Sequence, residues 1–410
     1  MKILIVTQYF PPEIGAPQNR LFELAVRLKA KGAEIDVLTA MPNYPQAKIH
    51  DNYKGLRFFK EEMQGLQVFR SWIFVSEKQS IINRLLNYFS FVFSSLHYGY
   101  FKTQKRYDYI LCESPPLFLG ISAWFLSYFK KAKLIFNVSD LWPETAEKLG
   151  IITNRFFLYS ATILEEFLYK KSFLVSGQTQ GIVDNIKQRF PKKEVYWLPN
   201  GVDVNWISNA EIKFNWREKN GFLKEDFVLF YGGIIGHAQG LEVILKAAEL
   251  LRNNTQIKFV LQGSGPELDK LKALKTSLDL NSVYFLEAVA KNEMPSVLSG
   301  IDAAIIPLKK LDLFKGAIPS KIFETMAMKK PILLGVEGEA KHHFIDNAKA
   351  GLAFEPENEE DLSNKILQLI DQKSQMFEKG ENGYQYVKKH FNRDIIAQDL
   401  FQFLESRLKS

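Results

Sequence analysis

The pattern that most constrains this chain is a strand, loop, helix and strand unit that occurs near the start and again from Phe227 onward. Ile3-Leu4-Ile5-Val6 is a short unbroken apolar run, as expected of a strand buried on both faces. A loop containing Pro11, Pro12, Gly15 and Pro17 follows, and then Leu21, Leu24, Ala25 and Leu28 recur at the spacing of an amphipathic helix. Gly32 ends that helix and Ile35 to Leu38 begins the next strand. Such a unit requires parallel strands joined by a right-handed crossover. The plan restarts with Phe227 to Tyr231, glycines at 232, 233, 236 and 240, a stripe of Leu241, Ile244, Leu245 and Ala248, and a strand from Ile257 to Leu261. No residue-level repeat accompanies it. The expected fold is α/β, with two doubly wound, Rossmann-like domains.

The strand Val195 to Leu198 ends at Pro199-Asn200-Gly201-Val202-Asp203, and a polar stretch reaches Asp226. The expected domains are therefore 1–203 and 204–390. Ala397, Leu400, Phe401, Leu404 and Leu408 share one helical face, so 391–410 reads as a last helix, free by its spacing to pack on either domain.

The length of 410 residues suits two such domains, and 24% charged with 46% hydrophobic residues is ordinary for a globular chain. The net charge of +7 is uneven. Residues 1–205 carry 26 Lys and Arg against 18 Asp and Glu, whereas 206–410 carry 27 against 28. Different partners for the two halves follow. A single cysteine, Cys112, excludes a disulfide framework and a Cys-based zinc site. The six histidines lack metal-ligand spacing, so no metal or other cofactor is expected, and no nucleic acid is expected as a partner. The chain opens on a strand pattern rather than a secretory leader. Its most lipid-like stretch, Leu85 to Phe101, is interrupted by Asn87, serines and His97, and a spanning helix needs about 20 apolar residues. It reads as a core or interfacial helix of a cytoplasmic protein that touches a membrane.

No G-x-G-x-x-G or Walker spacing follows either first strand. Four glycine- or proline-marked junctions remain: Gly15 to Arg20, Gly232 to Gly240, Gly263 to Pro266, and Pro319 to Glu324. Each is also ordinary turn chemistry, but glycines let backbone amides approach an anion at a helix start. Pro319 and Ser320 read as such a start, which puts Lys321 where the helix dipole disfavours a cation. A diphosphate would reverse that penalty, with Glu324 three residues on to accept ribose hydroxyls; the bland reading is an exposed ion pair. Asp140 and Glu144 follow the strand Lys133 to Phe136, on the edge that faces the ligand crevice. Asp140 either orients an acceptor hydroxyl or caps the next turn.

Taken together, Asp140-Leu141-Trp142-Pro143-Glu144, Pro199 to Asp203, the Gly263-Ser264-Gly265-Pro266-Glu267 run and Pro319-Ser320-Lys321 with Glu324, Met326 and Ala327 closely resemble family-4 retaining glycosyltransferases of the GT-B fold. Their order spans nearly the whole chain. The loop Met41-Pro42-Asn43-Tyr44-Pro45 resembles the bacterial branch that builds O-antigen and capsule. The resemblance implies two domains facing across a cleft, the C-terminal helix crossing back to the first. It implies transfer of a sugar, N-acetylated or deoxy, from a UDP-sugar to a polyprenyl-diphosphate-linked glycan with retention of configuration. Gly15, Gly233, Gly236, His237, Gln239, Gly263, Gly265, Pro319 and Ser320 are then expected at the nucleotide sugar. Arg20, Asp140 and Glu144 are expected at the acceptor, and Asp140, Lys321 and Glu324 in catalysis.

Two departures stand out. Gly316 occupies the place of the first glutamate of the family's E-x7-E motif, and Gln239 the place of a loop lysine. Lys321 must then meet the diphosphate, helped by His237, Lys309, Lys310 or Lys315. A same-fold UDP-N-acetylhexosamine 2-epimerase and a non-catalytic nucleotide-sugar-binding paralogue are the alternatives. The basic first half suits peripheral association with the inner face of the cytoplasmic membrane, through Lys78, Arg84, Lys102, Lys105, Arg106, Lys130, Lys131, Lys133, Lys170 and Lys171.

Overall fold

The apolar runs become central parallel strands, each followed by a helix whose stripe lies on the sheet. The computed structural model describes residues 1–13, 15–44, 47–78, 80–150 and 152–408. Unit 1 comprises Met1–Asn200 with Arg393–Ser410, and unit 2 comprises Gly201–Asn392. The break thus falls inside the Pro199 to Asp203 motif.

Unit 1 contains β1 (Lys2–Val6), β2 (Glu34–Ala40), β3 (Phe58–Met63), β4 (Leu66–Ser71), β5 (Tyr109–Ser114), β6 (Lys133–Val138), β7 (Leu174–Gly177) and β8 (Val195–Trp197). Their order is β3-β4-β2-β1-β5-β6-β7-β8. Among the described residues of this unit only the β3–β4 hairpin is antiparallel. The order reverses between β1 and β5, so the loops leaving those two strands part and open a crevice at the carboxyl edge.

Two helical layers cover this sheet. Helices Ala16–Ala30 and Arg393–Leu408 bury Leu24, Leu28, Leu400 and Leu404 against Ile3 and Ile5. Helices Ile81–Lys102, Leu119–Lys130 and Arg155–Lys171 bury Phe91, Leu126 and Leu168 against Leu4, Val6 and Phe136. The first of these holds the lipid-like stretch. Its N-cap Ser80 accepts the Asn83 amide. Among the described residues no helix is long and apolar enough to cross a membrane.

Unit 2 contains β9 (Phe227–Gly232), β10 (Ile257–Gln262), β11 (Val283–Leu286), β12 (Ala303–Pro307), β13 (Ile332–Gly335) and β14 (Gly351–Ala353), all parallel. The order β11-β10-β9-β12-β13-β14 is the 3-2-1-4-5-6 order of a doubly wound sheet, with its switch point between β9 and β12. The stretch before β9 is more structured than its polarity suggests. It forms helices Val204–Ser208 and Trp216–Lys219, and the Trp216 ring is fully buried 5.3 Å from Phe222. Two aromatic anchors without periodicity leave no pattern to read.

The last helix is integral to unit 1. The Tyr109 hydroxyl donates to the Leu404 carbonyl at 2.8 Å, and the Lys133 ammonium donates to the Arg407 carbonyl at 2.7 Å. Arg27 pairs with Asp394 at 2.7 Å. Leu404→Ala should cost about 2–5 kcal/mol, the range for truncating a buried leucine, as a lowered denaturant midpoint. An unchanged midpoint would contradict this helix's part in the core.

Candidate functional site

In unit 2 the crevice is built by the loops leaving β9, β10 and β12. The first two are interlocked backbone on backbone. The Gly233 amide donates to the Gln262 carbonyl at 3.0 Å, and the Ile235 amide to the Ser264 carbonyl at 2.9 Å. The Glu267 amide returns to the Ile235 carbonyl at 3.1 Å. Gly263 has φ of 151°, and a Cβ there would lie 1.9 Å from the Gly233 carbonyl oxygen. At Gly265, φ is 159° and a Cβ would lie 2.2 Å from the Ile235 oxygen. Only glycine fits both places.

Lys321 is the first residue of helix Lys321–Ala327, after Pro319 and the N-cap Ser320, whose side chain makes no capping bond. Its ammonium lies 3.6 Å from the centre of the Tyr231 ring and close against Gly233. Burial pushes this lysine down to about 7. It makes no ion pair or side-chain hydrogen bond among the described residues, so the ring face is the group that meets its charge. Tyr231 sits at the end of β9 and donates its hydroxyl to the Ile234 carbonyl at 2.5 Å, pinning the glycine loop. Nothing in the apolar run marks Tyr231 as more than core, and sequence reasoning missed it.

The other cations separate cleanly. Lys310 pairs with Glu355 at 2.5 Å and Lys315 with Asp312 at 2.7 Å. His237, 73% exposed, has Nδ1 2.7 Å from Glu267. Lys309 makes no ion pair among the described residues; its amide donates to the Ala238 carbonyl at 3.0 Å and its stem packs on Gly240. Lys321 and Lys309 therefore bracket the Gly233–Gly240 loop at its two ends. Within it, Gly236 caps the short helical turn His237–Gln239, and the Gln239 side chain folds back toward Gly236. Glu324 lies one turn along from Lys321 and is half-buried. Gly316 ends the turn Asp312–Gly316.

In unit 1, Gly15 is the N-cap of helix Ala16–Ala30. Arg20, expected at the acceptor, is turned into the protein. It is 5% exposed and pairs with Glu113 at 2.5 Å. The same guanidinium donates to Ser139 at 2.8 Å, Asn137 donates to Glu113 at 2.6 Å, and Ser176 donates to Asn137 at 2.7 Å. This buried network ties the helix to the tips of β5, β6 and β7, and it holds the residue preceding Asp140. Asp140 accepts the Thr145 hydroxyl at 2.6 Å, and burial raises its carboxyl above the ordinary range against that bond and the Leu141 amide. Glu144 starts helix Glu144–Lys148 and pairs with Lys148 at 2.6 Å, on the surface. Glu13 was not singled out by its sequence context. Its carboxylate accepts the amides of Phe10, Asn43 and Tyr44 at 3.1, 2.8 and 2.9 Å, joining the loops after β1 and β2. Burial raises its pKa despite those three bonds. Pro45, at the end of the Met41 loop motif, lies outside the described residues.

Residues 212–389 match the family described as glycosyl transferases group 1. The chain is 24% identical to the putative colanic acid biosynthesis glycosyl transferase WcaI of Escherichia coli K12, over 90% of this chain and 92% of that protein. It is 23% identical to the N,N'-diacetylbacillosaminyl-diphospho-undecaprenol alpha-1,3-N-acetylgalactosaminyltransferase of Campylobacter jejuni, covering 71% of this chain and 70% of the relative. Anabaena HepE, solved in complex with UDP and glucose, superposes with a TM-score of 0.72 at 18% identity, over 99% of this chain and 100% of HepE. That likeness concerns the fold. Residues 212–389 thus match the group 1 glycosyl transferases, and over its whole length the chain has the GT-B fold.

Proposed function

We propose that this protein transfers a sugar, an N-acetylated or deoxy hexose, from a UDP-sugar to a polyprenyl-diphosphate-linked glycan during cell-surface polysaccharide synthesis, with the anomeric configuration retained. The observation that carries the donor assignment is the desolvated, acid-free Lys321 ammonium beside the glycine loop at the switch point of unit 2. A site that keeps a lysine away from carboxylates is prepared for an anion. The UDP bound by HepE supports a uridine nucleotide. The names of the E. coli and C. jejuni relatives support polysaccharide synthesis and a lipid-diphosphate acceptor. We place the work on the cytoplasmic face of the membrane.

In the reaction the bond from the anomeric carbon to the diphosphate breaks and a bond to the acceptor oxygen forms. The acceptor proton leaves to the departing diphosphate. No metal is required where Lys321 and Lys309 meet the charge that develops on that leaving group, an electrostatic contribution. Glu324 is assigned to the ribose. Gly233, Gly236, Gly263 and Gly265 shape the backbone wall at the nucleotide, and His237, Gln239, Pro319 and Ser320 border it. On unit 1, Asp140 orients the acceptor hydroxyl by accepting its hydrogen bond. Arg20 acts through Ser139 to position Asp140, Glu144 is assigned to the acceptor, and Gly15 to the donor sugar and its phosphates.

Lys321→Gln should lower kcat/KM for the donor by about 10²–10³, the usual cost of deleting one charge-stabilising donor. Its folding stability should hold or rise, because a desolvated cation is removed. Turnover near wild type in a UDP-release assay would defeat the site assignment. Release that requires lipid-linked acceptor supports transfer; conversion of the donor into its 2-epimer without acceptor identifies an epimerase, and UDP binding without release or conversion a binding paralogue.

Proton linkage provides a second check. The unfolded chain holds the Lys321 proton up to the ordinary value of 10.5, and the folded protein releases it at about 7. The free protein therefore gains stability as pH rises from about 7 toward that value. A bound diphosphate restores the charged form, so UDP binding at pH 8 should take up a proton. Titration calorimetry in two buffers of different ionisation enthalpy reads this uptake. It should vanish in Lys321→Gln and for the wild type well below pH 7; uptake unaltered by the substitution would assign the proton elsewhere.

A further inference from the structure

The three helices on one face of the unit 1 sheet bury their inner sides, yet their outer sides expose large rings. Phe93, Phe101, Tyr128 and Phe156 are 69%, 65%, 76% and 80% exposed. Phe101 and Tyr128 belong to one run of touching rings, Tyr128 lying 5.7 Å from Phe129. Phe101 lies 4.8 Å from Tyr100, Tyr100 5.3 Å from Phe129, and Phe129 6.4 Å from Phe125. Phe125 continues to Trp124 at 4.7 Å, and Trp124 to Phe167 at 5.0 Å. This chain of contacts crosses helices Ile81–Lys102, Leu119–Lys130 and Arg155–Lys171. A contiguous apolar face of this kind marks an interaction surface.

Charge says what covers it. Helices Ile81–Lys102 and Leu119–Lys130 contain no aspartate or glutamate. In the third helix both glutamates are neutralised, Glu165 by Arg189 and Glu166 by Lys170. Lys102, Lys105, Arg106, Lys131 and Lys171 are exposed, all at or just beyond the carboxyl ends of the same three helices. Three lysines expected in this patch have other duties, Lys170 in its pair with Glu166. Lys130 is buried and donates to the Tyr100 and Gln104 carbonyls at 2.9 and 2.7 Å, and Lys133 is held by the Arg407 carbonyl.

We infer that this face is the surface by which the protein seats on an anionic lipid leaflet, with the rings in the headgroup boundary and the cations on lipid phosphates. Exposed phenylalanines with a tyrosine among them suit that depth, and a cationic rim suits its negative potential. A second copy of the chain fits poorly, because an isologous contact would bring like cations together. The inference rests on the lipid-linked acceptor proposed above and specifies where unit 1 meets the bilayer.

The experiment is co-sedimentation of the full chain with phosphatidylethanolamine/phosphatidylglycerol vesicles and with phosphatidylcholine vesicles. Wild type should bind the anionic vesicles and lose binding at high salt. Phe101→Ser/Tyr128→Ser and, separately, Lys105→Glu/Arg106→Glu should each lower partitioning by about tenfold or more. UDP affinity serves as the folding control and should not move. Variants that partition like wild type would overturn the assignment. So would a wild type that ignores vesicles and forms a dimer dissolved by the ring substitutions. Vesicle binding without donor turnover would defeat the transferase reading and leave this face standing. Turnover on a short-chain acceptor without vesicle binding would do the reverse.

Discussion

Backbone packed directly on backbone at the tips of β9 and β10 is the constraint on which the second unit's crevice depends. Where the Gly263 α-carbon meets the Gly233 carbonyl there is no room for a side chain, and the same holds between Gly265 and Ile235. Two loops that are separate in sequence thereby act as one rigid rim. Tyr231 adds a third tie through the Ile234 carbonyl, from beneath the same loop. Order in the rim comes from main-chain geometry, which leaves the few side chains around it available for chemistry.

The charges around that rim are sorted by partner. Lys310 and Lys315 spend their charge on nearby carboxylates, whereas Lys321 faces an aromatic ring and Lys309 a glycine. An exposed lysine with a carboxylate neighbour contributes little to stability and offers little to an incoming anion. A desolvated one without such a neighbour raises the free energy of the empty site and lowers it when an anion arrives. Unit 1 uses the opposite device. Its buried Arg20 gives Nη2 to both Glu113 and Ser139, so that edge of the guanidinium serves as a strut, while Nη1 has no hydrogen-bond partner among the described residues.

Much of the architecture was legible because apolar runs and helical stripes are local. The β9 run, its glycine loop and the following stripe announce a strand, a turn and a helix without tertiary knowledge. The motif around Lys321 was legible for the same reason. What escaped depends on long-range pairing. Arg20 and Glu113 are 93 positions apart, so nothing near Arg20 distinguishes a strut from a ligand contact. Tyr231 looks like core until the lysine above it is known. Lys130, at a helix end, reads as a solvated cation until the carbonyls that converge on it appear. Glu13 escaped because its partners are amides, which carry no sequence signature.

The closing helix Arg393–Leu408 gives unit 1 a discontinuous chain. One face of its sheet, with Ile3, Ile5 and Leu111 at the surface of contact, shares its cover between the early helix Ala16–Ala30 and this late one. During synthesis the whole of unit 2 emerges between them. The second unit has all its strands and helices before the first can finish. Until residues 393–408 are made, the nascent first unit carries an incompletely covered sheet, and its maturation is timed by translation of the second unit.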